Sequence, residues 1–121
     1  MAKVKGDVLK DPILRKIVEV IVKEIDPDKI ILFGSRARGD YNEHSDYDIL
    51  VLKRGVKPEE RRKVSLNLLK KLINLLGFAP VDIIVQDTSA FQLLKDYKFM
   101  IYHSVDKEGV IVYERKSKKV A

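Results

Sequence analysis

Two aspartates, Asp46 and Asp48, flank Tyr47 directly before an apolar run, residues 49–52. Because side chains alternate between the two faces of a strand, both carboxylates are predicted to point the same way. Neighbouring carboxylates repel each other and raise each other's pKa unless a cation lies between them. A hard divalent ion, magnesium first and manganese second, prefers carboxylate oxygens together with substrate phosphate. The pair therefore predicts a metal site at the beginning of a buried strand.

A second group of residues that could bind substrate follows the preceding apolar run, residues 30–33. This run is short and rich in β-branched side chains, and it is predicted to be a strand. Gly34 breaks this run, and Ser35 is predicted to be the N-cap of a helical turn. Backbone N–H groups and a hydroxyl at a helix start favour phosphate. Arg36 and Arg38 add cationic groups to the same turn, although both could be solvated loop charges. One loop is thus expected to supply a phosphate site and a metal site.

Gly34-Ser35, ten further residues and then Asp46-Tyr47-Asp48 resemble the signature of the polymerase-β-like nucleotidyltransferase superfamily. The longer stretch Gly-Ser-Arg-Ala-Arg-Gly, residues 34–39, resembles the minimal nucleotidyltransferase (MNT) family within it. The resemblance implies a third aspartate on an adjacent strand. Asp82 is the second residue of the apolar segment 81–85, where a charge without a partner is costly, although it could also face solvent at a strand end.

The resemblance also implies the role of each residue. Asp46 and Asp48 would hold one or two magnesium ions that bridge the phosphates of ATP. Asp82 would bind the ion nearer the acceptor and help to deprotonate the acceptor hydroxyl. The catalytic and metal-binding set is therefore Asp46, Asp48 and Asp82, and the nucleotide-binding set is Gly34, Ser35, Arg36 and Arg38.

The remaining elements must position these residues. Asp11-Pro12 is predicted to be the N-cap and first residue of a helix, and Gly77 the C-cap of another. Apolar periodicity predicts helices over 12–25, 58–76 and about 91–103, and strands over 30–33, 49–52, 81–85 and 110–113. Phe91, Tyr97, Phe99 and Tyr102 are expected in the core of the last helix. The predicted fold is α/β (α+β), a small mixed sheet flanked by helices, which is also the fold that the resemblance implies.

Length and composition limit the classes of protein and of site that the sequence can form. The 121 residues predict a single domain over 1–121, with a basic tail from about 115 to 121. No apolar run approaches the ~20 residues of a membrane span, and no apolar leader segment is found, so a cytoplasmic protein is expected. The absence of cysteine excludes disulfides, thiolate catalysis and cysteine-based zinc sites. The net charge of +6 is compatible with nucleic acid, but also with a nucleotide or an acidic partner.

The function implied by the resemblance is transfer of AMP from ATP to a tyrosine hydroxyl of a HEPN toxin, for which the protein would be the antitoxin. This length leaves no room for a separate acceptor-binding domain, so the acceptor surface is expected from a partner protein or a second subunit of an oligomer. Nucleic acid is not expected as substrate. Two alternatives remain: a nucleotidyltransferase acting on a small molecule, and a non-catalytic module that blocks a toxin by contact. Three unused carboxylates would be an electrostatic cost, which argues against the second alternative.

Overall fold

The computed structural model describes residues 10–78 and 80–116. Its helices are α1 (Pro12–Ile25), α2 (Ser35–Arg38), α3 (Arg61–Leu76, preceded by a 3-10 turn at Pro58–Glu60), α4 (Thr88–Leu94) and α5 (Ile101–Glu108). Its strands are β1 (Lys29–Phe33), β2 (Tyr47–Leu52), β3 (Val81–Gln86) and β4 (Val110–Glu114). No helix in this described part of the chain is long and apolar enough to cross a bilayer.

The four strands form one mixed sheet in the order β3-β2-β1-β4. β1 is antiparallel to β2 and to β4, whereas β2 and β3 are parallel. The predicted mixed sheet is confirmed, and β4 lies at its edge as expected. Because parallel strands begin at the same end of a sheet, the first residues of β2 and β3 lie next to each other.

Alternation along the strands divides the core into two layers. Ile30, Leu32, Ile49 and Val51 pack with α1 and α3 on one face of the sheet. Ile31, Leu50 and Leu52 pack with α4 and α5 on the other face. Asp48 is two residues from Leu50, and Asp82 is two residues from Ile84, which packs in the second layer. Both carboxylates therefore belong to the α4/α5 face.

The predicted helix ends agree with the structure at two positions. The Asp11 side chain accepts hydrogen bonds from the backbone N–H groups of Ile13 (2.9 Å) and Leu14 (3.3 Å), as an N-cap does. Gly77 ends α3 in the left-handed conformation, with φ of 78°. Local sequence is sufficient at both ends because each cap is built from residues next to one another in the chain.

The prediction of one last helix over about 91–103 is wrong, because α4 and α5 are separate helices. In a continuous helix residues 91 and 102 would lie about 16 Å apart along the axis. Instead the rings of Phe91 and Tyr102 meet edge to face with centroids 6.0 Å apart, and both are buried against the sheet. The chain folds back between them and leaves Tyr97 and Phe99 exposed, at 62% and 104% of their reference areas. These two aromatic residues are not core residues as expected.

The start of the predicted basic tail is anchored to the first turn after α1. Arg115 donates to the Asp26 carboxylate (2.6 Å) and lies 3.9 Å from that of Asp28. Residues 117–121 of the tail lie outside the described residues.

A buried polar network joins β3 to both helical layers and yields a stability prediction. The side-chain amide of Gln86, which is 5% exposed, and the guanidinium of Arg61 each donate to the Tyr102 hydroxyl at 3.0 Å. Tyr102→Phe removes the acceptor of both donors, so we expect it to lower the free energy of unfolding by about 1–3 kcal/mol. Urea denaturation measures this change.

The control is Tyr97→Phe, which removes a hydroxyl from an exposed ring and should change the free energy of unfolding by less than about 0.5 kcal/mol. Equal stability of the Tyr102→Phe variant and the wild type would show that the network contributes nothing.

Candidate active site

The three predicted carboxylates meet at one end of the sheet. Asp48 and Asp82 are register partners in the parallel pair, and neighbouring strands lie about 4.8 Å apart. Asp46 directly precedes β2, two residues before Asp48 and on the same face. Asp46 and Asp82 are exposed and Asp48 is half-buried, so the group forms an open shelf rather than a closed cavity.

The electrostatics of Asp48 reflect this crowding. Partial burial raises its pKa, and the nearby charges of Asp82 and Asp46 raise it further, while Arg38 acts in the opposite direction. All three side chains offer hard oxygen donors, the kind that Mg²⁺ prefers, and a cation between them would remove the repulsion. No three His, Asp or Glu side chains of the described residues are already arranged around a common ion position. The donor chemistry therefore fits a divalent ion, which would have to draw the carboxylates together.

Gly34 lies directly against this shelf. Its φ is 73°, which favours glycine, and a Cβ added there would lie 2.1 Å from Asp48 Oδ2. The prediction that Ser35 is the N-cap is wrong by one residue. Gly34 is the N-cap, because its carbonyl oxygen accepts from Ala37 and Arg38 N–H (both 3.1 Å), and Ser35 is the first residue of α2. The turn that should contact phosphate thus also shapes the pocket for the Asp48 carboxylate.

The two arginines have different environments. Arg36 is only 11% exposed, its guanidinium stacks 4.0 Å from the centre of the Tyr47 ring, and its Nε donates to the Ser45 carbonyl at 2.9 Å. Arg38 is 45% exposed, pairs with Asp40 at 3.2 Å, and its charge is felt at Asp48. Arg38 is therefore the better placed of the two for a substrate anion, and phosphate contact by Arg36 stays a prediction.

Tyr47 and Asp11 are part of the site's support, and sequence reasoning missed this role. Tyr47 is 3% exposed and its hydroxyl donates to Asp11 Oδ2. Burial and this hydrogen bond raise the pKa of Tyr47, so that it stays a neutral donor. The available signal was the alternation in Asp46-Tyr47-Asp48, which points the ring into the α1/α3 layer when both carboxylates point to the other face.

A groove of about 950 Å³ lies at the opposite end of the sheet, where Lys29, Leu52 and Glu114 line it. Lys29 and Glu114 pair there at 3.3 Å. Its volume alone does not make it the active site, because the three carboxylates and the glycine turn lie at the other end. The open shelf carries the group of residues with catalytic potential.

Gly34→Ala tests the contact between the turn and Asp48. The methyl group would displace the Asp48 carboxylate, so we expect Mg²⁺ to stop raising the melting temperature and the affinity for MgATP to fall at least about tenfold, or about 1.4 kcal/mol. The control is Gly55→Ala, since Gly55 has a similar φ of 88° but open space around its Cβ. Both variants should lose about 1–3 kcal/mol of stability, because an alanine at a positive φ is strained. Wild-type MgATP affinity in Gly34→Ala would contradict the assignment.

Asp48→Asn tests the electrostatics through pH. Because the pKa of Asp48 is raised in the folded protein, protonation favours folding. The stability gained in this way is complete below the unfolded pKa and is lost as pH rises through the folded pKa. In EDTA at pH 7 we therefore expect Asp48→Asn to melt above the wild type, with the difference shrinking towards pH 4. Mg²⁺ should reduce or reverse this difference in melting temperature, because it is expected to stabilise only the wild type.

The pH control is Asp87→Asn, because hydrogen bonds from the N–H groups of Gly55 and Ala90 lower the pKa of Asp87. Its stabilising effect is present above the unfolded pKa and is lost as pH falls through the folded pKa, so this variant should melt below the wild type at pH 7. A melting temperature for Asp48→Asn below that of wild type at pH 7 in EDTA would refute the repulsion argument.

Comparison with known proteins agrees with this geometry. The family model described as "Polymerase beta, Nucleotidyltransferase" matches residues 15–118. Two Methanocaldococcus jannaschii proteins, named as candidate protein adenylyltransferases, are similar to the chain. One is 35% identical over 85 residues, which cover 70% of this chain and 77% of the relative. The other is 53% identical over 38 residues, which cover 31% of this chain and 37% of the relative.

Solved structures give the same fold. A candidate nucleotidyltransferase from Sulfolobus solfataricus has a TM-score of 0.56 and 29% identity, covering 92% of this chain and 91% of that one. A toxin–antitoxin structure with AMP-PNP has a TM-score of 0.54 and 22% identity, covering 84% and 73%. A tyrosine-to-alanine mutant of the MntA-HpeT toxin–antitoxin has a TM-score of 0.54 and 25% identity, covering 85% and 73%. Because the family model spans most of the chain and brackets the glycine turn and all three carboxylates, the protein belongs to the polymerase β nucleotidyltransferase family and is an enzyme of that family.

Proposed function

We propose that the protein transfers AMP from ATP to a tyrosine hydroxyl of a partner toxin of HEPN type, and so acts as an antitoxin. The observation that carries the proposal is the parallel pairing that sets Asp82 beside Asp48, with Asp46 and Gly34 at the same end of the sheet. Relatives named for protein adenylyl transfer and the toxin–antitoxin structures among the similar folds support this choice of acceptor.

The fit of the residues to a metal is the first step of the argument. Asp46, Asp48 and Asp82 would hold a divalent ion, Mg²⁺ before Mn²⁺, since their oxygens are hard donors and Arg38 only partly offsets the repulsion at Asp48. When bound, the ion neutralises charge on the phosphates and withdraws electron density from the α-phosphorus. Gly34 N–H, the Ser35 hydroxyl and Arg38 would bind the phosphates that leave as pyrophosphate.

The transfer itself forms a bond between the acceptor oxygen and the α-phosphorus and breaks the bond from that phosphorus to pyrophosphate. Asp82 takes the proton of the acceptor hydroxyl, which it can reach because it is exposed and lies on β3, an edge strand of the sheet. Asp46 and Asp48 act on the nucleotide side. Positioning and charge neutralisation supply most of the rate enhancement in such reactions.

The openness of the shelf supports a macromolecular acceptor. Asp46 and Asp82 are both exposed, and Asp82 lies on an edge strand that a partner surface can approach. A protein acceptor would supply the walls of the site and exclude water as it docks.

Asp82→Asn tests the proposal. ATP should still bind through Asp46, Asp48, Gly34 and Ser35, whereas transfer should fall several hundredfold because the proton acceptor is lost. Such a loss corresponds to roughly 3.5 kcal/mol of transition-state stabilisation, more than a surface charge contributes. The readout is the mass increase of one AMP on the partner toxin, measured by intact-mass spectrometry, with exposed Asp96→Asn as the control.

The outcomes separate the candidate functions. Labelling by Asp82→Asn at the wild-type rate would show that Asp82 is structural. Absence of labelling by the wild type, with the toxin still neutralised, would favour a module that acts by contact. Release of pyrophosphate with a small hydroxyl compound but without toxin labelling would favour a small-molecule acceptor.

A further inference from the structure

We propose that Arg36, Tyr47 and Asp11 form a clamp that positions Asp46 for transfer, and that Arg36 is a positioning residue rather than a phosphate ligand. The inference rests on the proposed function for its kinetic part and on the contacts alone for its structural part. The clamp is defined by these three side chains and acts on the connecting loop, residues 39–46, between α2 and β2.

The guanidinium of Arg36 is occupied on several sides. One face lies 4.0 Å from the centre of the Tyr47 ring, and the Tyr41 ring lies 4.7 Å away. Its edge donates from Nε to the Ser45 carbonyl at 2.9 Å and from Nη2 to the Asn42 carbonyl at 3.4 Å. A planar group with five donors suits such combined stacking and hydrogen bonding, whereas a lysine ammonium does not.

Asp11 connects this cluster to the helix before it. One oxygen caps α1 by accepting from Ile13 N–H at 2.9 Å, and the other accepts from the Tyr47 hydroxyl and lies 3.9 Å from Arg36 Nη1. Tyr47 N–H in turn donates to the Pro80 carbonyl at 2.9 Å, next to the start of β3. Through these contacts the three clamp residues connect α1, α2 and the starts of β2 and β3.

The connecting loop, residues 39–46, ends at Asp46. Within it Ser45 N–H donates to the Asn42 carbonyl and Asn42 N–H donates to Ser45 Oγ, both at 3.1 Å. Arg36 binds the carbonyls of these same two residues, so it holds both ends of this turn. Asp46 is exposed and lies between Ser45 and Tyr47, both of which contact Arg36. Its position is therefore set by the clamp.

Small displacements are costly in a reaction that depends on positioning, where about 1 Å can reduce the rate about a hundredfold. A phosphate ligand would have a different signature, since its loss weakens ground-state binding of ATP. Separate measurement of ATP affinity and transfer rate distinguishes the two roles.

The test uses Arg36→Lys, which keeps the charge but loses stacking and the planar donor set, and Tyr47→Phe, which keeps the ring but loses the bond to Asp11. We expect each to slow toxin labelling about 10- to 100-fold at saturating ATP, with the Kd for MgATP within about threefold of wild type. The double variant should be no slower than the slower single variant, since both disrupt one unit. Matched controls are Arg62→Lys and Tyr97→Phe, both at exposed positions.

Amide hydrogen exchange provides a readout that does not depend on activity. Exchange at Asn42 and Ser45 should accelerate about tenfold in both variants and remain unchanged in the controls, with circular dichroism confirming that each is folded. A Kd for MgATP at least about tenfold weaker in Arg36→Lys, with unchanged loop exchange, would make Arg36 a phosphate ligand and overturn the proposal. If wild type labels no acceptor but exchange accelerates as expected, the proposed function fails and the structural clamp stands.

Discussion

The parallel pairing of β2 with β3 places two carboxylates, Asp48 and Asp82, side by side at the start of neighbouring strands. Partial burial raises the pKa of Asp48 and the repulsion from Asp82 raises it further, so folding has to overcome both effects. The apolar remainder of both strands makes this feasible, since residues 49–52 and most of 81–86 are buried in two core layers. The core thus supports a locally unfavourable arrangement, which is typical of residues assembled to bind a cation.

The two faces of β2 divide the work of the site. Asp48 points towards the α4/α5 face and is half-buried, while Tyr47 points into the α1/α3 layer and is buried. The first two residues of β2 therefore connect the shelf, through Asp48, to the buried core, through Tyr47. Asp11 extends this connection to the cap of α1, so that a helix whose own residues lie outside the shelf still determines how the shelf is shaped. The geometry of the site consequently depends on a residue, Asp11, that lies outside the sequence motif at 34–48.

Sheet topology also determines how accessible the start of β3 is. β3 is an edge strand, and its outer carbonyls, those of Ile83 and Val85, are bound by Ser65 (2.8 Å) and Arg61 (2.6 Å) of α3. This pairing protects the edge against unwanted strand addition. Asp82 lies at the beginning of the same strand and remains exposed. This carboxylate is therefore accessible without disturbing the hydrogen bonds of the sheet.

The sequence by itself determined the features that depend on neighbours in the chain. These were the cap at Asp11, the strand alternation around Tyr47, the glycine turn, and the family signature that the family model confirms. Only the tertiary structure decided that the last helical segment breaks, because burying both Phe91 and Tyr102 against one sheet requires the chain to fold back. It also decided the surroundings of Arg36. Four of its neighbours follow it closely in the chain and the fifth, Asp11, precedes α1, but a linear motif carries no record of which of these groups the folded chain will bring to that side chain.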